Sequence, residues 1–512
     1  VACLGHALNH SDTIQGLGPA GRAANPQPTH NMAGELKEKA ARGLLWGGLN
    51  NGAVQLLGAL FGIFLLRLLS PSDYGKIAML TVFSNLASTL QESGFMAALC
   101  NLKHPTDRDY NAVFWFNILM GGTLYVLLYL AAPLIAGFYG DPDLLWLSRY
   151  MFLGFLAASF GTVQRAWLFR NMMNKQTCII AVTSLVVSNV AGILMAWLGY
   201  AYWGLATQSL LFVTCMTVMN WHYSPWRPSL RLDLRPAWQM FGFSGKLLLT
   251  NIVNTLSSNA FSFLLGKFYG AHSAGVYGNA RKWDDMCSST ISGMLTGVAQ
   301  PVMAQVRDSR ERSRQVFRKM LRFVSFVSFP CMFGVGLIAR EFLLIFVGAK
   351  WEESAFLLSL LSIYGAIFPL LTLYGQMAIS QGKSSLNMWN TMALSVLILV
   401  GLVLLHPLGL NVMVYYFIVI NTIWLFVWQF FARRLIGLPL WQALCDVLPF
   451  LLLSAACMAV TWWITRPIAS LWLLMLAKMA LAAALYTAAV WVSGARIMRE
   501  AAGYLFGRRR SP

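Results

Sequence analysis

Apolar runs of about twenty residues recur from residue 43 almost to the C-terminus, and they restrict what this chain can fold into more than any other feature. A helix of that length matches the roughly 30 Å hydrocarbon thickness of a bilayer. In hydrocarbon the backbone must satisfy its own hydrogen bonds, which an α-helix does within one segment. The chain therefore reads as an all-α polytopic membrane protein. Composition agrees: 57% of the 512 residues are hydrophobic and 11% are charged, more apolar than a water-soluble core needs.

The spacing predicts spans near 43–67, 75–99, 111–138, 147–169, 177–198, 202–221, 241–266, 277–303, 319–338, 352–379, 386–406, 411–432, 443–463 and 469–493, about 14 transmembrane helices. A re-entrant break at Gly121 and Gly122, or a disruption at Pro369, would reduce the number to twelve or thirteen. Lys and Arg collect in short cytoplasmic loops. With fourteen spans and the N-terminus inside, twenty-seven of the 38 cations fall on the cytoplasmic side and nine on the other. The formal charge of +19 thus has a topological reading before a nucleic-acid one, and both termini are expected in the cytoplasm. The basic stretch RDSRERSRQVFRK, residues 307–319, is expected to orient the chain and touch lipid headgroups. It lacks the soluble recognition domain that nucleic-acid binding needs.

Residues 1–31 carry Gly, Pro, Asn and His without periodicity and precede Met32, so they are expected to be a non-native or disordered leader. The eight cysteines are scattered without a CxxC pair, and no histidine stands at a ligand spacing from a carboxylate or cysteine. No metal site and no cofactor is expected. Neither a Walker A sequence nor HExxH nor GxSxG occurs, and no interval between spans is long enough for a catalytic domain, so transport without covalent chemistry is the expected class, not an enzyme.

Residues 222–240, HYSPWRPSLRLDLRPAWQM, read as a cytoplasmic linker between a six-helix bundle over 32–221 and a second over 241–435. Two additional helices over 436–495 and a basic tail over 496–512 follow. LLRLLSPSDYGKIAM after the first span compares with LLGKFYGAHSAGVYGNA after the seventh, as two related bundles facing a central cavity would produce.

Several pieces of sequence then carry a family resemblance: LKEKAARGLLWGG near the start, RLLSPSDYGKIAM from Arg67 to Met79, ESGF from Glu92, YGDPDL from Tyr139, GKFYGAHSAGVYGNARK from Gly266 to Lys282, AQPVMAQV from Ala299 and VGAKWEES from Val347. Each is degenerate alone, but their order over some 450 residues resembles the bacterial polysaccharide flippases and exporters of lipopolysaccharide, colanic acid and teichuronic acid. These form a branch of the multidrug, oligosaccharidyl-lipid and polysaccharide superfamily. The resemblance implies an inner-membrane protein that moves an undecaprenyl-pyrophosphate-linked oligosaccharide to the periplasmic leaflet by alternating access. It implies a lipid-linked oligosaccharide and membrane lipids as partners, with envelope polymerases and glycosyltransferases nearby, no nucleic acid, and a monomer. The alternative is a multidrug or small-molecule extruder of the same fold, whose cavity would be dominated by acids.

A lipid diphosphate needs cations and hydrogen-bonding groups around its head. Candidate head-group residues are Arg42, Arg67, Lys267, Arg281 and Lys282, with the amides Asn50, Asn51, Gln55, Asn251 and Asn254 suited to sugar hydroxyls. Each cation could instead snorkel to fix helix depth, and each amide could bond a neighbouring helix. Glu92, Asp284 and Asp285 are the candidates for gating or ion coupling. Lys478 falls inside the last span, where an unpaired charge costs on the order of 3 kcal/mol, so a partner or water is expected there. In NARKWDD, residues 279–285, helical spacing brings Arg281 within reach of Asp284 and Asp285, and Lys282 within reach of Asp285.

Overall fold

A computed structural model of the chain describes residues 52–92, 99, 105–230 and 233–492, without the side chains of residues 92, 237–250, 253–254 and 257. The leader, the basic tail, Arg42, Asn50 and Asn51 lie outside the described residues, as do the side chains of Glu92 and Asn254. Fourteen α-helices carry the described chain. They are α1 (Gly52–Leu68), α2 (Pro71–Glu92), α3 (Asp107–Tyr139), α4 (Asp143–Ser159), α5 (Thr162–Arg170), α6 (Asn174–Trp197) and α7 (Tyr202–Tyr223). There follow α8 (Arg235–Gln305), α9 (Arg310–Phe342), α10 (Glu352–Ser380), α11 (Ser384–Leu405), α12 (Leu410–Ile436), α13 (Leu440–Thr465) and α14 (Leu471–Val492). Among the described residues nine helices are long and apolar enough to cross a membrane, or ten with α4 and α5 taken as one bent span.

Three details correct the spacing argument. Helix α3 runs unbroken through Gly121 and Gly122. Gly121 serves contact instead, since a Cβ there would come within 2.9 Å of Ser159 Cβ and 3.0 Å of the Phe155 carbonyl oxygen. The expected single span 147–169 is bent by 45° between α4 and α5. The expected loop between the seventh and eighth spans shrinks to one non-helical residue in α8, Gly270, with φ 76° and ψ −177°, a conformation open to glycine and costly for other residues.

The chain divides into two compact units, one of residues 1–62 and 84–252, the other of residues 63–83 and 253–512. In the first, α3 packs on α4 and α6 on α7. Phe114 sits at the centre of an aromatic cluster with Phe160, Trp221 and Trp226, and Tyr110, Val113, Val163 and Ala166 complete the core. The linker is fastened to α3: Arg108 pairs with Asp233, Trp115 Nε1 donates to the Ser229 carbonyl at 2.8 Å, and the Ser229 N–H donates to Asn111 Oδ1 at 2.9 Å. The Arg108 guanidinium holds the Asp233 carboxyl below the ordinary aspartate range.

The second unit has a continuous core of α8, α9, α10, α12 and α13 side chains, among them Phe317, Phe329, Leu373, Met377 and Trp428. The basic stretch that opens α9 is used largely inside the protein. Arg310, Arg314, Arg318 and Arg322 recur every fourth residue and so share one helix face. Arg310 donates to the carbonyls of Arg433 and Arg434 at the end of α12, where cations complement the exposed acceptors and the helix dipole. Arg314 donates to the Gly437 carbonyl, and Arg318 and Arg322 both hold Asp446 of α13, with closest approaches of 2.6 and 3.0 Å. Lys478 of α14 has the partner its depth demands: its Nζ donates to Glu341 Oε1 at 2.7 Å and to the Leu337 carbonyl at 3.1 Å.

Candidate functional site: a cationic, aromatic cavity in the second unit

Residues 63–83, expected in the first bundle, belong to the second unit, and the contacts explain why. Leu343–Val347 form one π-turn after α9. Arg67 donates through Nε to the Phe346 carbonyl and through Nη2 to the Ile345 carbonyl, both at 2.6 Å. In return Lys350 Nζ donates to the Arg67 carbonyl at 2.8 Å and Trp351 Nε1 to the Leu66 carbonyl at 2.9 Å, satisfying acceptors left open where α1 ends. Tyr74 packs edge-on against Trp351, and Ser354 Oγ donates to the Val276 carbonyl. Three stretches quoted from the sequence, around Arg67, Val276 and Lys350, thus form one clasp. It draws α2 against α8 so closely that a Cβ on Gly75 would overlap the Ala271 carbonyl, and one on Gly275 the Pro71 carbonyl.

Beside this clasp a cavity of about 840 Å³ lies among α2, α8, α10, α11 and α12. Its charged wall is the NARKWDD turn of α8. Arg281 is flanked by the Tyr364 and Phe417 rings, its Cζ 4.7 and 5.8 Å from their centroids. It pairs with Asp285 at 2.8 Å through Nη2 and 3.0 Å through Nε, and Asp284 lies 3.6 Å from Nη1. Lys282 faces the cavity one residue further round the helix and is exposed. Arg281 takes both carboxylates, so Lys282 has no ion pair with Asp285, contrary to what helical spacing allowed.

The rest of the wall is aromatic and amide-bearing. Phe261 stacks on Tyr277 at 4.3 Å and meets Phe417 edge-on, while Trp424, Asn421, Gln376 and Asn387 come from α10, α11 and α12. Trp424 Nε1 and Gln376 Oε1 have no hydrogen-bond partner among the described residues. Sequence reasoning passed over these groups. Their signal was the recurrence of Asn, Gln and Trp within otherwise apolar spans of α10 to α12. Asp284 points away into the helix packing: it is wholly buried, neither carboxylate oxygen has a hydrogen-bond partner among the described residues, and Gly365 is the small residue that leaves it room.

The structure therefore brings Arg281, Lys282 and Asp285 together on the cavity wall, with Asn259 also lining it. Arg67 lies in the clasp, and Lys267 is exposed three residues before the Gly270 break. Gln55 and Asn251 are exposed residues of the first unit. Among the described residues no group of three His, Cys, Asp or Glu side chains is placed to hold a metal ion.

A guanidinium between rings and an ammonium on a wall with free amide and indole groups suit an anionic ligand with a hydroxyl-rich portion. Known proteins place the chain further. The teichuronic acid biosynthesis protein TuaB of Bacillus subtilis (strain 168) is 28% identical over 325 residues, 63% of this chain and 66% of that protein, just under two thirds of its length. The lipopolysaccharide biosynthesis protein WzxC of Escherichia coli (strain K12) is 23% identical over 398 residues, 76% of this chain and 80% of that one. The lipid II flippase MurJ in an inward closed conformation shares the fold, with a TM-score of 0.71 at 13% identity over 89% of this chain and all of that one. The polysaccharide biosynthesis protein family matches residues 64–356, more than half of the sequence, and this all-α, multi-pass membrane chain belongs to it.

Proposed function

We propose that this protein is a flippase or exporter that carries an undecaprenyl-pyrophosphate-linked oligosaccharide from the cytoplasmic to the periplasmic leaflet of a bacterial inner membrane by alternating access. The supporting observation is the second unit's cavity, where Arg281 and Lys282 stand on a wall of aromatic and amide side chains. The cations meet the diphosphate, and the rings and amides of Tyr364, Phe417, Trp424, Gln376 and Asn259 meet the sugars. Arg67 holds the clasp. Lys267, with Arg42, Asn50, Asn51, Gln55, Asn251 and Asn254, completes the head-group set as the cycle proceeds. A small-cation extruder calls for acids without counter-charge, whereas Asp285 is matched by Arg281 and Lys282 adds a further positive charge.

Fourteen crossings in two bundles of six with two additional helices fit this reading, with no covalent chemistry and a lipid-linked glycan as the cargo. Asp285 and Asp284 are the gating or ion-coupling pair, together with Glu92. One guanidinium faces two carboxylates, and a diphosphate that takes Arg281 releases Asp285 and changes the charge around Asp284. Reconstitution into proteoliposomes with a fluorescent undecaprenyl-diphosphate oligosaccharide tests the proposal, reading the fraction of head groups protected from an impermeant quencher. Wild-type protein is expected to move head groups between leaflets, and Arg281→Gln to slow this at least tenfold, about 1.4 kcal/mol or more, with unchanged yield and elution. Protection no faster than in protein-free vesicles, from folded wild-type protein, sinks the proposal.

A further inference from the structure

The second unit contains another recess that shares no lining residue with the cavity: a groove of about 870 Å³ among α9, α10, α13 and α14. Its charged residues gather toward one end, where α9 ends, α10 begins and α13 ends. They comprise three cations, Arg340, Arg466 and Lys478, against two carboxylates, Glu341 and Glu352. Two of the cations are already matched. Arg340 donates to Glu352 Oε1 through Nε and Nη2 at 3.1 and 2.9 Å, and Lys478 is bound to Glu341 and the Leu337 carbonyl. The Arg466 guanidinium is different: it lies 5.0 Å over the Trp462 ring, and no carboxylate among the described residues pairs with it. Away from this end the groove carries no further charge: Ser359 and Ser362 line it on α10, and Phe333, Leu337, Ile363 and Met458 give it an apolar wall. Phe333 lies seven residues before Arg340 on α9, about 10 Å along the axis. An excess positive charge beside a tryptophan, with an apolar channel descending from it, reproduces the polarity of one lipid leaflet.

We propose that this groove binds an acidic glycerophospholipid, its phosphate on Arg466 and an acyl chain along Phe333 and Met458. The assignment does not depend on the cargo of the other cavity. Native mass spectrometry and thermal unfolding of the detergent-purified full chain test it, with phosphatidylglycerol, phosphatidylcholine or inorganic phosphate added. Phosphatidylglycerol is expected to be retained at least fivefold more than phosphatidylcholine and to raise the unfolding temperature, while inorganic phosphate does not. Arg466→Gln is expected to abolish that preference. Ala459→Trp, at an exposed position lining the groove, is expected to lower retention of the lipid by filling the acyl channel with every cation in place. Equal retention of the two lipids by wild-type protein, or unchanged phosphatidylglycerol retention in both variants, overturns the proposal. So does stabilisation by inorganic phosphate equal to that by the lipid, which would make the groove a simple anion site.

Discussion

At Asp446 two arginines, Arg318 and Arg322, converge on a carboxylate that is 5% exposed. Removing a buried acceptor leaves its cations uncompensated, which is far costlier than losing a surface pair. Asp446→Ala is therefore expected to destabilise the protein by about 3 kcal/mol. Thermal unfolding in detergent reads this as a lowered midpoint. Arg322→Gln should move it much less, because Arg318 keeps two contacts to the carboxylate. This site shows where residue-level reading stops. The basic run that opens α9 was visible at once, and within it Arg314 pairs locally with Glu311. The carbonyls that take Arg310 and the carboxylate that takes Arg318 and Arg322 stand more than a hundred positions away, and sequence spacing carries no such information. Arg281 was legible for the opposite reason, since both of its carboxylates lie within one turn of the same helix. Trp424, Tyr364 and Gln376 were not legible, because an aromatic or amide in an apolar span is most often packing, and only the tertiary fold turns these toward one space.

Among the elements, the crossing of α2 and α8 is set by two glycines, each meeting a backbone carbonyl of the other helix. Backbone cannot give way as a flexible side chain can, so Gly275→Ala should push the helices apart at a cost of about 1–3 kcal/mol. The expected outcome is a lower unfolding midpoint and slower lipid-head transport for both Gly75→Ala and Gly275→Ala, with no such loss at Gly293, where an added Cβ meets nothing within 4 Å. Element positions were easy to read, because twenty apolar residues announce a span whatever lies next to it. The breaks were harder. Gly121 and Gly270 are the same residue type in similar surroundings, yet one permits a close contact and the other a reversed φ. Local sequence does not distinguish a glycine used for space from one used for rotation.

For the whole molecule, the proposed fourteen crossings would put both ends on one side of the membrane, and the distribution of Lys and Arg in the sequence predicts the cytoplasm for that side. Alkaline phosphatase fused after residue 495 is expected to be inactive in cells, and a fusion in the loop between α13 and α14 active; the reverse pattern would refute the topology. Sequence separation says little about which compact unit a segment joins. A linker rich in Pro and Arg suggested a cut at 222–240, but residues 63–83 group with the second unit through the clasp of Arg67, Lys350 and Trp351, contacts across some 280 positions. The ion pair beside the cavity has one more effect. A carrier that has delivered its cargo must swing back vacant, and a bare guanidinium would make that return stroke slow and sensitive to voltage. With Asp285 already seated on Arg281, the vacated arginine carries its own counter-ion home in the proposed cycle, and Lys282 is the cation on that wall left for the membrane potential to act on during the return.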